Sequence, residues 1–227
     1  MKLTYGDLLA ELKNGARVAL MIRHAERPHI DRTDPTFGET LALTPAGQAA
    51  AFDLGTLLAP MSGDAEFHSS PMNRTRETAR QIALGMGIAA PDIREWEELG
   101  NSSFYFTCQR ELFEAFKGHD IYPMMDGYLH GKPLAGLGDL YAASDRLEEW
   151  TDRHHTRRLA IFATHDLYTA AFLTARNAAE FTATNWIRFL ESAAIIDRPD
   201  GTRRYAYIQL AVSPTFSLFL ESRVKTR

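Results

Sequence analysis

Residues 18–28 read Val-Ala-Leu-Met-Ile-Arg-His-Ala-Glu-Arg-Pro, an apolar run that ends abruptly in charged and titratable residues. An apolar run bounded by polar residues is typical of a buried strand, and open α/β sheets bind ligands at the carboxyl ends of their strands. We therefore predict a strand over residues 16–22 that delivers Arg23, His24 and Arg27 to a functional site.

The composition limits the classes of protein to consider. With 227 residues, of which 45% are hydrophobic, the chain can bury the core of a globular domain. Its net charge of -4 provides no basic field for nucleic acid, and no polybasic run favours a membrane surface. The single cysteine, Cys108, excludes an internal disulfide. With no signal peptide or spanning segment visible, we expect a cytoplasmic protein without nucleic-acid or membrane partners; the oligomeric state stays open.

Helical and strand patterns alternate along the chain. Helices are predicted around residues 8–12 and over 45–57, 73–84, 140–154 and 168–177, and further strands over 65–69, 159–164, 192–197 and 205–212. Alternation with short links predicts an α/β fold, a three-layer α/β/α sandwich with a mostly parallel central sheet. Residues 100–138 are irregular and aromatic, and we interpret them as a small inserted cap on a single domain of residues 1–227.

Polar residues follow three of the predicted strands. His24 follows the first, the Ser69-Ser70 turn with Arg74 follows the second, and His165 follows the third. Carboxyl ends of parallel strands share one edge of a sheet, so these side chains are expected to converge. Guanidinium groups bind phosphate bidentately, and a neutral imidazole is a competent nucleophile. The set therefore predicts a site for phosphoryl transfer.

These segments resemble the histidine phosphatase superfamily, which includes acid phosphatases, phytases and phosphoglycerate mutases. Residues 23–28, Arg-His-Ala-Glu-Arg-Pro, are similar to the family signature Arg-His-Gly-x-Arg-x-Pro, with Ala25 in place of glycine. Residues 43–49 resemble the helix start that follows, and residues 69–74 resemble the segment that supplies another phosphate-binding arginine. The resemblance spans most of the chain.

The resemblance implies a role for each matching residue. His24 would be the nucleophile, forming a phosphohistidine that water hydrolyses. The phosphoryl group would be held by Arg23, Arg27, Arg74 and His165. We expect no cofactor and no metal, because several arginines would supply the charge stabilisation that a divalent cation otherwise provides.

The proton donor to the leaving oxygen has two candidates. Asp166 directly follows His165, as in the acid-phosphatase and phytase branch, and is favoured. In the mutase-like branch the donor is a glutamate upstream of a glycine. The usual spacing before Gly100 places Trp96 there, which leaves Glu97 as the alternative. Glu26 is expected to form a salt bridge with a neighbouring arginine.

We therefore expect a metal-independent hydrolase of small phosphomonoesters. One alternative is a phosphoglycerate mutase-like phosphotransferase, and another is a catalytically silent module that binds phosphate or phosphopeptides. A metal-dependent hydrolase using His165 and Asp166 with His24, His29 or Asp31 is a further, less favoured hypothesis.

Overall fold

The computed structural model describes residues 1–30, 34 and 38–210. Within these ranges one sheet is formed by β1 (Lys2–Thr4), β2 (Arg17–Arg23), β3 (Ala65–Ser69), β4 (Ile93–Glu95), β5 (Leu159–Thr164), β6 (Ser192–Asp197) and β7 (Arg203–Gln209). The helices are α1 (Tyr5–Lys13), α2 (Pro45–Leu58), α3 (Asn73–Gly85), α4 (Gln109–Phe116), α5 (Ile121–Leu129), α6 (Leu140–His154) and α7 (Asp166–Ala175). Short 3-10 helices span Ala59–Asp64 and Glu97–Leu99.

The strand order is β1-β7-β6-β2-β5-β3-β4. Strand β6 is antiparallel to both of its neighbours, and the other four pairings are parallel. The predicted α/β class with a mostly parallel sheet is confirmed. Strand β2 lies at the centre with β5 beside it, and its residues from Val18 onward are buried, as expected of a strand covered on both faces.

Two apolar clusters pack on opposite faces of the sheet and make the three layers. Val18, Leu20 and Ile22 of β2 contact the cluster formed by α1, α2 and α3. Ala19 and Met21, which alternate with them, contact the cluster formed by α4 to α7. The side-chain period of two in a strand thus assigns one set of helices to each face.

The segment that we predicted to be irregular contains two helices, α4 and α5. Leu112, Phe116 and Met125 from these helices join the same apolar cluster as Phe162 of β5 and Phe172 of α7. The aromatic residues of this segment therefore extend the main core rather than forming a separate small one. Its interpretation as an inserted cap stays a prediction.

Several boundaries differ from the predictions. Strands β1 and β4 were not predicted, because three residues are too few to display a period of two. Helix α7 begins at Asp166 instead of residue 168. The end of the predicted strand 205–212 lies outside the described residues.

In the described ranges, no helix has both the length and the apolar character needed to cross a bilayer.

Candidate active site

The register of the sheet brings three strand ends together. Arg23, the last residue of β2, pairs with Thr164, the last residue of β5, and Ser69 of β3 pairs with Ala163. The chain therefore leaves β2, β5 and β3 at one edge, where His24, His165 and the Ser70 turn follow. The structure places these predicted residues side by side although they are distant in sequence.

His24 is buried and its ring has a defined protonation pattern. Only 3% of the residue is exposed, and Nδ1 lies 2.8 Å from the carbonyl oxygen of Ala25. Because a carbonyl only accepts, Nδ1 carries the proton and Nε2 keeps its lone pair. Burial, followed by the positive charges of Arg74 and Arg23, lowers the pKa of His24 well below its usual value. The imidazole is therefore neutral and nucleophilic near pH 7.

His165 lies beside His24, with 5.7 Å between ring centroids. Burial lowers its pKa well below the usual value, and the charge of Arg74 acts in the same direction. Arg74, which can only donate, lies 3.5 Å from Nδ1, and the Oγ atom of Ser70 lies 3.2 Å from Nε2. A proton on Nε2 is therefore donated to Ser70, which in turn donates to Thr75 Oγ1 at 2.6 Å.

The three predicted arginines surround the two histidines. Arg23 donates to the carbonyl of Ile187 and forms an ion pair with Asp166 at 3.1 Å. Arg74 donates to Gly38 at 2.7 Å, and Arg27 donates to Pro28 at 2.8 Å.

Each of these guanidinium groups also holds a buried donor without a partner. The Nε atoms of Arg23, Arg27 and Arg74 make no hydrogen bond within the described part of the chain. Buried donors are normally satisfied, and like charges at close range repel. Burial, followed by the charge of Arg27, lowers the pKa of Arg74 to about 10. An anion placed among these groups would satisfy the donors and relieve the repulsion.

Asp166 is the first residue of α7, where the helix dipole favours a carboxylate. Its Oδ1 accepts from the Leu167 amide at 2.9 Å, and its side chain is 23% exposed. Burial alone would raise the pKa of Asp166, but Arg23, with a smaller effect from His165, holds it below the usual value. The group is a carboxylate at neutral pH when no anion occupies the arginines.

Glu26 and Glu97 form no ion pair with Arg23, Arg27 or Arg74. Glu97 is exposed at the start of the second 3-10 helix, and its carboxylate makes no hydrogen bond or ion pair with another described residue. The salt bridge expected for Glu26 is not formed with any arginine of the described residues, and that prediction is wrong for them. Glu26 Oε2 instead accepts from the Thr44 hydroxyl at 2.7 Å, at the amino end of α2.

Sequence reasoning missed several residues that support the site. The Thr78 hydroxyl accepts from the Ala25 amide at 2.9 Å and fixes the loop that carries His24. Gly47 lies so close to this loop that a Cβ atom would be 2.1 Å from the Glu26 carbonyl oxygen. Phe189 covers Arg23, with its ring centroid 4.3 Å from the guanidinium carbon. A Thr-x-x-Gly helix start was a signal for Gly47, whereas Phe189 lies in an irregular loop.

Among the described residues, no group of three His, Cys, Asp or Glu side chains is arranged to hold a metal ion. Asp31, one of the hypothetical ligands, lies outside the described residues. The arrangement at the sheet edge can bind an anion through arginines and attack it with an imidazole.

Comparison with known protein families gives one match. A family model described as histidine phosphatase superfamily (branch 1) matches residues 19–196. No protein with a curated description matches the sequence.

Solved structures share the fold at low sequence identity. Phosphoglycerate mutase from Bacillus anthracis is 13% identical, with a TM-score of 0.51 and coverage of 91% of this chain and 97% of that one. Phosphoserine phosphatase from Entamoeba histolytica, solved with 3-phosphoglyceric acid, is 16% identical, with a TM-score of 0.54 and coverage of 85% and 97%. A mycobacterial glucosyl-3-phosphoglycerate phosphatase is 13% identical, with a TM-score of 0.52 and coverage of 86% and 100%.

Proposed function

Because this chain belongs to the histidine phosphatase superfamily (branch 1), we propose that it hydrolyses small phosphate monoesters through a phosphohistidine at His24. The observation that carries the proposal is the group of three buried, unpartnered Nε donors beside a neutral imidazole. Such donors match the oxygens of a phosphoryl group, and the lone pair on Nε2 matches the nucleophile that the reaction requires.

The reaction has two steps. In the first, His24 Nε2 forms a bond to phosphorus, the ester P–O bond breaks, and the departing oxygen takes a proton. In the second, water attacks phosphorus, the P–N bond breaks, and inorganic phosphate leaves. Arg23, Arg27 and Arg74 stabilise the negative charge on the equatorial oxygens in both transition states. His165 positions Arg74, because its Nδ1 accepts from that guanidinium group.

Asp166 is the proposed proton donor of the first step and base of the second. The ion pair with Arg23 keeps the pKa of Asp166 low as long as Arg23 binds no phosphate. Asp166 is then a carboxylate, the form that can accept a proton from water. A bound phosphate dianion would oppose the charge of Arg23 and raise the pKa of Asp166 toward the protonated form. Since Asp166 is partly exposed, water has a path to the phosphoenzyme, which favours hydrolysis over transfer to a second substrate.

The phosphoenzyme is the direct test. Enzyme mixed with a labelled monoester and denatured rapidly should retain label that is stable in base and lost in acid. His24→Ala should abolish the label, whereas His130→Ala, which changes a half-exposed histidine away from the sheet edge, should not. Tight binding of inorganic phosphate with neither label nor turnover would sink the proposal and favour a binding module.

Leaving groups of different acidity test the donor. Asp166→Asn should slow hydrolysis of alkyl monoesters by about 10²-fold or more and affect p-nitrophenyl phosphate much less, because nitrophenolate leaves without a proton. Glu97→Gln is the matched comparison and should change neither rate. The reverse pattern would transfer the role to Glu97.

A further inference from the structure

A second feature of this edge lies beside the arginines rather than among them. A cavity of about 310 Å³ is bordered on one side by Arg23 and Arg27 and on the other by the start of α5. This volume is at the lower end of the range for small-molecule sites. The cavity continues outward from the arginines of the proposed phosphoryl site, where the remainder of a bound monoester would lie.

Most of the wall area of the cavity is apolar. The apolar and aromatic side chains that line it come from three separate parts of the chain and are those of Ile30, Phe116, Ile121, Tyr122 and Phe189. They comprise three aromatic rings and two branched aliphatic side chains. Such a lining gains free energy from an apolar group that leaves water.

Phe189 is held firmly in this wall. Its ring lies over Arg23 at 4.3 Å and near His24, with 5.6 Å between centroids. The next residue, Leu190, has a φ of 63°, a left-handed conformation that is costly for a leucine. The strained turn is fastened by Tyr5, whose hydroxyl donates to the Leu190 carbonyl at 2.6 Å. The wall is therefore preorganised.

The charges of the cavity oppose an anionic substituent. Among the described residues that line it, Arg23 and Arg27 are the only lysine or arginine side chains, and both face the proposed phosphoryl site. Glu26 and Asp120 place two carboxylates at the same cavity, and the other titratable groups are His29 and His119. A second phosphate or a carboxylate on the substrate would meet these carboxylates, and the described lining residues offer no further guanidinium or ammonium group to bind it.

We propose that this cavity binds the alcohol portion of the substrate, and that the preferred substrates are monophosphates of uncharged apolar alcohols, aromatic or branched aliphatic. The inference rests on the proposed function for the position of the phosphoryl group. It assigns specificity to Ile121, Tyr122 and Phe189, which lie outside the motif that carries the arginines and histidines.

Binding of phosphonates tests the cavity without requiring turnover. Benzylphosphonate and methylphosphonate carry the same anionic group and differ by a phenyl ring, so their affinities by calorimetry isolate the cavity. Benzylphosphonate should bind at least about tenfold more tightly, the gain expected from partial burial of one ring. Equal affinities in the unmodified protein would overturn the inference.

Variants of Ile121 test whether the cavity causes the preference for benzylphosphonate. Ile121→Asp adds a carboxylate to the apolar wall and should remove the tenfold preference, whereas Ile121→Val should keep most of it. Phe52→Asp introduces the same charge on an exposed side chain of α2 and should leave the preference unchanged. Retention of the preference in a folded Ile121→Asp protein would show that the ring binds elsewhere.

Turnover separates the two proposals. Benzyl phosphate should be hydrolysed with a higher kcat/KM than 3-phosphoglycerate, which also has an alkyl leaving group but carries a carboxylate. A faster reaction with 3-phosphoglycerate would overturn the assignment of the cavity and leave the phosphohistidine mechanism standing. Selective binding of benzylphosphonate with no phosphoenzyme from any monoester would support the assignment of the cavity and overturn the phosphohistidine mechanism.

Discussion

Replacement of Gly47 by alanine should damage the site without touching a catalytic group. Gly47 lies in the first turn of α2, and its amide donates to the Thr44 hydroxyl at 2.9 Å. A Cβ atom would lie 2.1 Å from the Glu26 carbonyl oxygen and 2.9 Å from the carbonyl carbon. Both atoms are backbone of the loop that follows His24, so no flexible side chain can relieve the contact.

The size of the effect follows from this geometry. Helix and loop must separate by roughly 1 Å to restore an ordinary contact, and overpacking of this kind costs about 1–3 kcal/mol. For a protein of this size that corresponds to a fall in Tm of roughly 2–12 °C. A displacement of about 1 Å at the nucleophile is expected to reduce kcat/KM by about 10²-fold.

Thermal unfolding and hydrolysis of p-nitrophenyl phosphate measure the two effects. Gly63→Ala is the matched control, because a Cβ there has no neighbour within 4 Å. It should change stability by less than about 0.5 kcal/mol and leave the rate unaltered. If Gly47→Ala kept both its Tm and its kcat/KM, the close approach of α2 to the loop would not be needed to position His24.

Three further outcomes are expected. Ser70→Ala removes the hydroxyl that faces His165 Nε2 and should lower kcat/KM about three- to tenfold, whereas Ser69→Ala, with a hydroxyl directed to the backbone, should not. Burial lowers the pKa of His24 and His165 well below the usual value and lowers that of His68 to about 4. As the pH falls below about 6.5, these histidines therefore become protonated in the unfolded chain but stay neutral in the folded protein. The free energy of unfolding measured in denaturant should therefore fall between pH 7 and 4, and less steeply in His68→Gln. Activity should be unchanged in excess chelator, and its loss with recovery on adding a divalent cation would restore the metal hypothesis.

The main elements of the fold could be predicted because their sequence patterns are local. The apolar run of β2 ending at Arg23, and the similar end of β5 before His165, indicate both a strand and the polar edge where it stops. The rule that parallel strands share a ligand-binding edge then places distant residues together. The site residues follow β2, β3 and β5, so the failure to predict the edge strands β1 and β4 did not affect this inference.

What could not be predicted depends on tertiary contacts. Helices α4 and α5 are short, with Gly127 and Pro123 inside α5, so the helical pattern is weak. Packing in the apolar cluster that both helices share with α7 decides the structure. The position of Phe189 depends on the strained turn at Leu190, and no sequence motif predicts that turn. The Glu26 partner was mistaken because a charge suggests an ion pair, whereas the folded chain offers a hydroxyl.

The unpartnered Nε donors of Arg23, Arg27 and Arg74 also bear on how a catalytic cycle would end. Inorganic phosphate presents the same oxygens to these donors as the substrate does, so their binding energy favours product as well as substrate. Phosphate should therefore compete with the ester, and its departure is a candidate for the slowest step. The same affinity should protect the folded state, by about 2.7 kcal/mol when phosphate is present at a hundred times its Kd. A site built to hold a phosphoryl group would thus couple the rate of product release to the stability of the fold.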